Sequence, residues 1–369
     1  MRPPATPTPT LSPSPPFSCW LLLIITAGAM IFSLFYERRL WCRFLCPIGG
    51  QNGLFAKLAI TEVRARKGVC GAECSTYGCI KVRGRAGGRV WGGGSAELFF
   101  FRPPHPSHPQ GNETPVPPEG LVEVGCPLGS HPGNLADNKD CVLCLDCLRT
   151  CPHGSVELRL RPPAADILTP TSHNATPAEV ALMFMLLGSV PVHHVGALAA
   201  QAGLGADPAW LAASPTFLGP HAAAAAALLA APGAIAWAVD AGARWLGPRV
   251  DAAYRPPPPF VRLAYAWLPF TWAAILAHYE EWGLTEAGQV LRVAAAGLGA
   301  SAETVAAVPG GGAHPAVVAF LQGATLLFGL GTGVGLTVKY TWRRPLGAAA
   351  PQVVLMCAAT AELWALILP

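Results

Sequence analysis

Charged residues are scarce in this chain of 369 residues, since Asp, Glu, Lys and Arg together make up only 12% of it. Soluble domains usually carry about 25% charged residues, so the shortage argues against a water-soluble enzyme. Hydrophobic residues instead make up 52% of the chain, and its mean hydropathy is +0.39. The net charge of +4 is typical of loops beside a membrane and gives no indication of nucleic-acid binding.

The few charges are concentrated in one polar block, residues 37–177, which holds 16 of the 25 Lys and Arg residues. Residues 1–16 are rich in Pro, Thr and Ser, which predicts a disordered tail. Residues 17–36 contain no charge. At about 1.5 Å per residue they are long enough to cross the roughly 30 Å hydrocarbon core as one helix. A signal peptide is the alternative, but the basic residues follow the apolar run instead of preceding it.

Residues 178–369 are apolar again and predict a C-terminal membrane domain of about five helices. The predicted spans lie near residues 180–201, 217–239, 261–279, 314–338 and 350–368. Residues 288–307 contain two charged residues, which favour an interfacial helix over a further span. Pairs of glycines four positions apart predict close helix packing in lipid. These pairs are Gly329 with Gly333, and Gly331 with Gly335.

Basic residues alternate between successive loops of this predicted layout. Residues 37–43 and the short loops at 240–260 and 339–349 are rich in Arg and Lys, whereas loop 202–216 has neither and loop 280–313 has one Arg. The positive-inside rule then predicts six spans with both termini on the same side. The polar block would face the cytoplasm from the plasma membrane, or the stroma from a thylakoid.

The twelve cysteines are clustered, and ten of them lie between positions 42 and 151. Their tight spacing indicates metal ligation in a reducing compartment, not a disulfide scaffold. The strongest signal is Cys141-x2-Cys144-x2-Cys147-x3-Cys151-Pro152, the run by which bacterial ferredoxins bind iron–sulfur clusters. Zinc is the alternative, although zinc sites usually present two separated ligand pairs.

A second cysteine set is present in stretched form. Cys70, Cys74 and Cys79 are followed by Cys126-Pro127 only after residues 82–120, a Gly- and Pro-rich stretch that predicts an inserted loop. In two-cluster ferredoxins the fourth cysteine of each run binds the other cluster. This rule predicts two [4Fe–4S] clusters, one bound by Cys70, Cys74, Cys79 and Cys151, the other by Cys126, Cys141, Cys144 and Cys147. The alternative makes Cys70 or Cys74 an ordinary buried thiol.

Two stretches beside the cysteines, residues 59–65 and 155–161, alternate apolar and polar side chains as half-buried strands do. They bracket the cysteine sets and could pair with each other. The predicted fold class is therefore a multi-pass α-helical membrane protein with an inserted small α+β ferredoxin domain of the two-cluster bacterial type, within residues 37–177.

Further candidate residues lie close to the membrane. Cys42 and Cys46 would share one face of a helix, and we interpret them as a redox-active or acceptor-contacting pair, or else as two small buried side chains. His193, His194 and His278 fall inside predicted spans, where ionisable residues are functional candidates. These histidines could line a quinone pocket, bind a haem or bridge two helices.

An apolar span, then Trp41-Cys42-x3-Cys46-Pro47, then a two-cluster ferredoxin module resembles the membrane polyferredoxin superfamily of the NapH and NosR type. Residues 126–163 are most similar to the FesM-type membrane iron–sulfur proteins of cyanobacteria. Members of the superfamily usually have more spans ahead of the first Cys-x3-Cys-Pro motif, and often a second such motif.

The resemblance implies an electron carrier or oxidoreductase subunit. It would connect a soluble ferredoxin-like donor with quinone or a redox complex in the bilayer, as in cyclic photosynthetic electron flow. The alternatives are a membrane redox factor that matures or activates another metalloenzyme, and a cluster-bearing subunit without turnover of its own.

Overall fold

The computed structural model describes most of the two predicted regions, and the chain divides into two compact units. The first unit comprises residues up to Gly49 and Thr61–Arg161, and the second comprises Gly50–Ile60 and the residues from Pro162 onward. The predicted inserted loop 82–120 lies outside the described residues. Those described are 15–35, 45–72, 126–151, 153–168, 175–203, 218–342 and 348–368, with single positions at 41, 74, 79, 80 and 344.

The first unit combines short helices with a two-stranded sheet. Its elements are α1 (Pro15–Phe35), the start of α2 (Pro47–Phe55), β1 (Thr61–Ala65), α3 (Lys67–Ala72), α4 (Asp146–Thr150) and β2 (Val156–Leu160). The strands are antiparallel, with Thr61 opposite Leu160 and Ala65 opposite Val156. The predicted strand pairing is thus confirmed.

One face of this sheet is buried against cysteines. Val63, Ala65 and Val156 pack with Cys70, and the partly buried Cys141, Leu145, Cys147 and Cys151 pack against them. Sulfur-bearing side chains therefore supply much of the core of this small unit, as in domains that fold around a metal.

The second unit is helical. Its α-helices are α5 (Pro177–His193), α6 (Val195–Gln201), α7 (Leu218–Val250), α8 (Phe260–Leu263), α9 (Leu268–Glu286), α10 (Val290–Gly297), α11 (Ala302–Ala307), α12 (Pro315–Thr341) and α13 (Ala350–Ile367).

Within the described ranges, four helical segments are long and apolar enough to cross a membrane, and they are compatible with an integral membrane protein. These segments are Ala222–Val250, Phe260–Gly297, Pro315–Thr341 and Ala350–Ile367. Helices α5 and α6 make a fifth if this pair, bent by 70°, counts as one span.

The prolines of the predicted spans lie at different positions within their helices. Pro232 and Pro248 lie inside α7, which continues well past the predicted end at residue 239. Pro191 lies in the last turn of α5, just before the bend. Pro269 lies in the first turn of α9, where its missing N–H costs no hydrogen bond. The predicted interfacial stretch 288–307 contains α10 and α11.

Helix α12 packs closely on the chain before and within α9 through one of the predicted glycine pairs. A Cβ added at Gly329 would lie 2.5 Å from Ala273 Cβ, and one at Gly333 would lie 3.2 Å from the carbonyl oxygen of Ala266. At Gly331 and Gly335 an added Cβ would meet nothing within 4 Å among the described residues. The predicted close approach is confirmed for the first pair and wrong for the second.

Candidate metal centre

The loop that begins at Cys141 is anchored to the sheet. The side-chain amide of Asn138, which is buried, donates to the carbonyl oxygen of Thr61 in β1 over 2.7 Å. The backbone N–H of Cys141 then donates to the carbonyl oxygen of Asn138 over 3.1 Å. The first cysteine of the run is therefore held beside the strand by two consecutive hydrogen bonds.

The backbone of this loop turns sharply at two leucines. Leu143 has φ of 52° and Leu145 has φ of 62°, which is the left-handed region. Bulky side chains rarely adopt this region, at a cost of roughly 1–2 kcal/mol per residue. Turns with left-handed residues form concavities lined by backbone N–H groups, and such concavities occur at many iron–sulfur sites. The two left-handed residues of this loop lie between consecutive cysteines of the run, one on either side of Cys144.

A small cavity lies in this loop, and Cys126, Cys141, Cys144 and Cys147 all line it. Val63 of β1 and Leu145 contribute apolar wall. The four thiols belong to one of the two predicted ligand sets. They surround a volume, which suits a cubane because each of its irons takes a different thiolate.

The thiols of the other predicted set also lie near one another. The pKa of Cys79 is raised to about 11, chiefly by burial and also by the neighbouring thiols of Cys70, Cys74 and Cys151. Burial likewise raises the pKa of Cys70, with Cys74 and Cys151 adding to the effect. Each predicted ligand set is therefore a spatial group and not only a sequence pattern.

The two groups of thiols, one containing Cys147 and the other containing Cys79, lie next to each other. Burial raises the pKa of Cys147 to about 12, and the thiols of Cys141, Cys144 and Cys126 contribute, followed by Cys79 of the other group. Thiols with such high pKa values are protonated at neutral pH, so binding of iron would release protons.

The described thiols fit iron–sulfur ligation by their chemistry. None of the ten cysteines that the structure describes forms a disulfide. No group of three or more His, Cys, Asp or Glu side chains among the described residues is arranged to hold a single metal ion. Deprotonated cysteines are the usual ligands of [4Fe–4S] clusters, which need four thiolates each.

Of the predicted pair Cys42 and Cys46, the structure describes only Cys46. Cys46 is partly buried, and its backbone N–H donates to the carbonyl oxygen of Trp41 over 2.8 Å. Cys42 lies outside the described residues.

In the second unit, the three predicted histidines lie together where α5 and α9 meet. His194 Nε2 and His278 Nδ1 are 3.2 Å apart, and the ring of His193 stacks on that of His278 at a centroid distance of 4.9 Å. His278 is buried, whereas His193 is exposed. The contact bridges two helices and leaves one further nitrogen on each of the His194 and His278 rings.

Sequence reasoning missed a buried charge in the same unit. Lys57 is fully buried, and its Nζ lies 2.5 Å from Glu179 Oε2. The hydroxyl of Tyr265 donates to the same oxygen. A single lysine between apolar residues carries no motif, so no local signal marks it.

A family model described as a 4Fe-4S binding domain matches residues 19–67. The match contains Cys19, Cys42 and Cys46, and it ends before Cys70, so it includes none of the eight predicted ligands. Comparisons with curated proteins and with solved structures found no match. The chain is thus similar to 4Fe–4S binding domains over one short region, and this similarity supports at least one iron–sulfur cluster.

Proposed function

We propose that this chain is a membrane-bound iron–sulfur protein that passes electrons between a soluble ferredoxin-like carrier and an acceptor in the membrane. The observation that carries the proposal is the cavity lined by four cysteine thiols, with a second group of thiols adjoining it. A family match to 4Fe-4S binding domains supports the same chemistry independently of that cavity.

Two ligand sets follow from the proposal. Cys70, Cys74, Cys79 and Cys151 would hold one [4Fe–4S] cluster, and Cys126, Cys141, Cys144 and Cys147 would hold the other. When bound, such clusters accept and release single electrons. The chain supplies the thiolates, the apolar wall at Val63 and the left-handed turns of the Cys141 loop.

For the membrane acceptor we propose quinone. Four long apolar helices support residence in the plasma membrane or a thylakoid, and the basic loops support a cytoplasmic or stromal position of the clusters. The histidine group of His193, His194 and His278 offers ring nitrogens to a quinone oxygen. Haem is the less favoured ligand of this group, because His194 and His278 contact each other directly. The resemblance to FesM-type proteins supports cyclic photosynthetic electron flow as the setting.

Iron and sulfide analysis of the anaerobically purified chain tests the ligand sets. Two [4Fe–4S] clusters give about eight irons per chain. We expect Cys144→Ser to remove about half of the iron, because it opens one coordination position. Cys357→Ser is the matched control, since Cys357 is an exposed thiol of α13.

The double variant Cys42→Ser, Cys46→Ser tests whether the cluster ligands are the two sets above or include cysteines of the matched region 19–67. If the two sets above are complete, this variant keeps its iron and its EPR spectrum. Loss of iron from it would place ligands in the matched region 19–67 and refute the assignment of Cys70, Cys74 or Cys79.

Electron transfer is tested by mixing the chain in lipid vesicles with reduced ferredoxin and a quinone. The proposal requires two reduced ferredoxins to be oxidised for each quinone that is reduced to quinol, with two protons taken up from water. A chain with full iron and no quinone reduction would instead point to the redox-factor role, in which deletion of the gene removes another enzyme's metal centre.

A further inference from the structure

His131 lies against the thiol group of Cys70, Cys74, Cys79 and Cys151, and one of its ring nitrogens accepts a backbone hydrogen bond. The backbone N–H of Gly133 donates to His131 Nδ1 over 3.1 Å. A neutral imidazole that accepts at one nitrogen carries its proton on the other. In the neutral ring this contact assigns the N–H to His131 Nε2, which lies 3.6 Å from the sulfur of Cys70. The geometry gives an N–H donor directed at a predicted ligand sulfur.

Ser155 lies against a second sulfur of the same group. Its backbone N–H donates to Cys151 Sγ over 3.4 Å, and its hydroxyl is 3.3 Å from the same sulfur. Ser155 is buried, and its carbonyl oxygen accepts from the backbone N–H of Arg66 over 2.9 Å. The hydroxyl also lowers the pKa of Cys70 by hydrogen bonding, against the larger effect of burial.

The other group of thiols has a different neighbour. Cys144 is exposed, and Asp146 follows it two residues later in the chain. A carboxylate disfavours added negative charge, whereas N–H and O–H donors favour it.

We propose that His131 and Ser155 raise the reduction potential of the cluster held by Cys70 and Cys151, and that they act on this cluster only. The inference rests on the proposed function. Reduction adds one negative charge, which spreads over the ligand sulfurs, and hydrogen bonds to those sulfurs stabilise the reduced form. Both residues are positioning residues that act through the ligands. Solvent near Cys144 also stabilises added charge, on the other cluster. The effect of His131 and Ser155 on the potential is therefore measured by substituting them, because a difference between the two clusters would also contain the effect of solvent.

EPR-monitored redox titration of the full-length chain tests this inference. We expect His131→Phe and Ser155→Ala each to lower one midpoint potential and to leave the other unchanged. An effect on the order of ten-fold in the reduction equilibrium is about 59 mV for a one-electron couple. His131→Gln keeps an N–H donor and should recover part of the shift. His153→Phe is the matched control, because His153 is exposed in the same unit.

Each outcome separates this inference from the function on which it rests. A wild-type chain with a single cluster would refute the two-cluster proposal and this inference together. Two assembled clusters with unshifted potentials in both variants, or an equal shift in His153→Phe, would refute this inference alone. If His131→Phe loses iron, Ser155→Ala provides the same comparison, because it removes one oxygen and keeps the backbone donor.

Discussion

The backbone N–H of Cys126 donates to the carbonyl oxygen of Cys79 over 2.9 Å, although residues 80–125 separate them in the chain. This bond joins the two thiol groups directly. Whatever the inserted loop contributes, the chain on either side of it meets at two predicted ligands.

The inserted loop should therefore be dispensable for cluster assembly. We expect a chain in which a short Gly/Ser linker replaces residues 82–120 to keep its full iron content, because a flexible linker only has to close a short gap. Iron analysis and EPR measure this. A chain with residues 79 and 126 joined directly is the control, and it should lose iron because the turn cannot close. Loss of iron with the linker would show that the loop itself supports the clusters.

The close glycine pair on α12 should tolerate no added methyl group. Gly329→Ala places its Cβ on Ala273, and we expect a loss of about 1–3 kcal/mol from overpacking. Gly331→Ala is the matched control on the open face, and its higher helix propensity should be neutral or stabilising by up to about 1 kcal/mol. Thermal unfolding in detergent measures both. Equal melting temperatures would contradict the observed packing.

We expect the buried Lys57 to stabilise the ionised carboxylate of Glu179. Lys57→Met removes the buried cation that pairs with this carboxylate. We expect a cost of about 3 kcal/mol, the low end for a buried pair, because Glu179 is 16% exposed. The double variant Lys57→Met, Glu179→Gln should recover much of the loss. Tryptophan fluorescence during thermal unfolding reports the differences. If the single variant is as stable as the wild type, the pair contributes nothing.

The alternating basic loops predict a topology that is open to direct labelling. An epitope tag within residues 82–120 and one after Pro369 should be reached by antibody from opposite sides of the membrane. Sealed vesicles of known orientation, opened with detergent as the control, measure this. Labelling of both tags from one side would exclude six spans.

Local patterns predicted those parts of the fold whose cause is local. The strands β1 and β2 leave a period-two pattern because one face of each is buried. Four of the six predicted spans correspond to described helices that are long and apolar enough to cross a membrane, because a membrane requires long apolar runs. The two cysteine groups follow from spacing, since a cluster-binding loop must present its thiols close together.

The end of α7 could not be predicted, because the charges that suggested it are neutralised. Asp240 and Arg244 lie past the predicted end, yet Arg244 pairs with Asp240 at 2.7 Å and donates to the carbonyl oxygen of Pro257. The helix therefore continues to Val250.

His131 and Lys57 were missed for another reason. Each contacts a partner far along the chain, Cys70 and Glu179 respectively, and neither pairing leaves a trace in nearby sequence.

The left-handed leucines also bear on how this sequence can vary. Leu143 is 41% exposed, so its side chain contributes less to a core than its residue type suggests. Glycine at this position would remove a backbone cost of roughly 1–2 kcal/mol. Ile or Val would be strongly disfavoured, because a side chain branched at Cβ rarely adopts the left-handed region. If natural variants of this loop have Gly or Asn in place of Leu143, the position is under selection for its left-handed backbone conformation. The hydrophobic residue found here would by itself have suggested selection for packing.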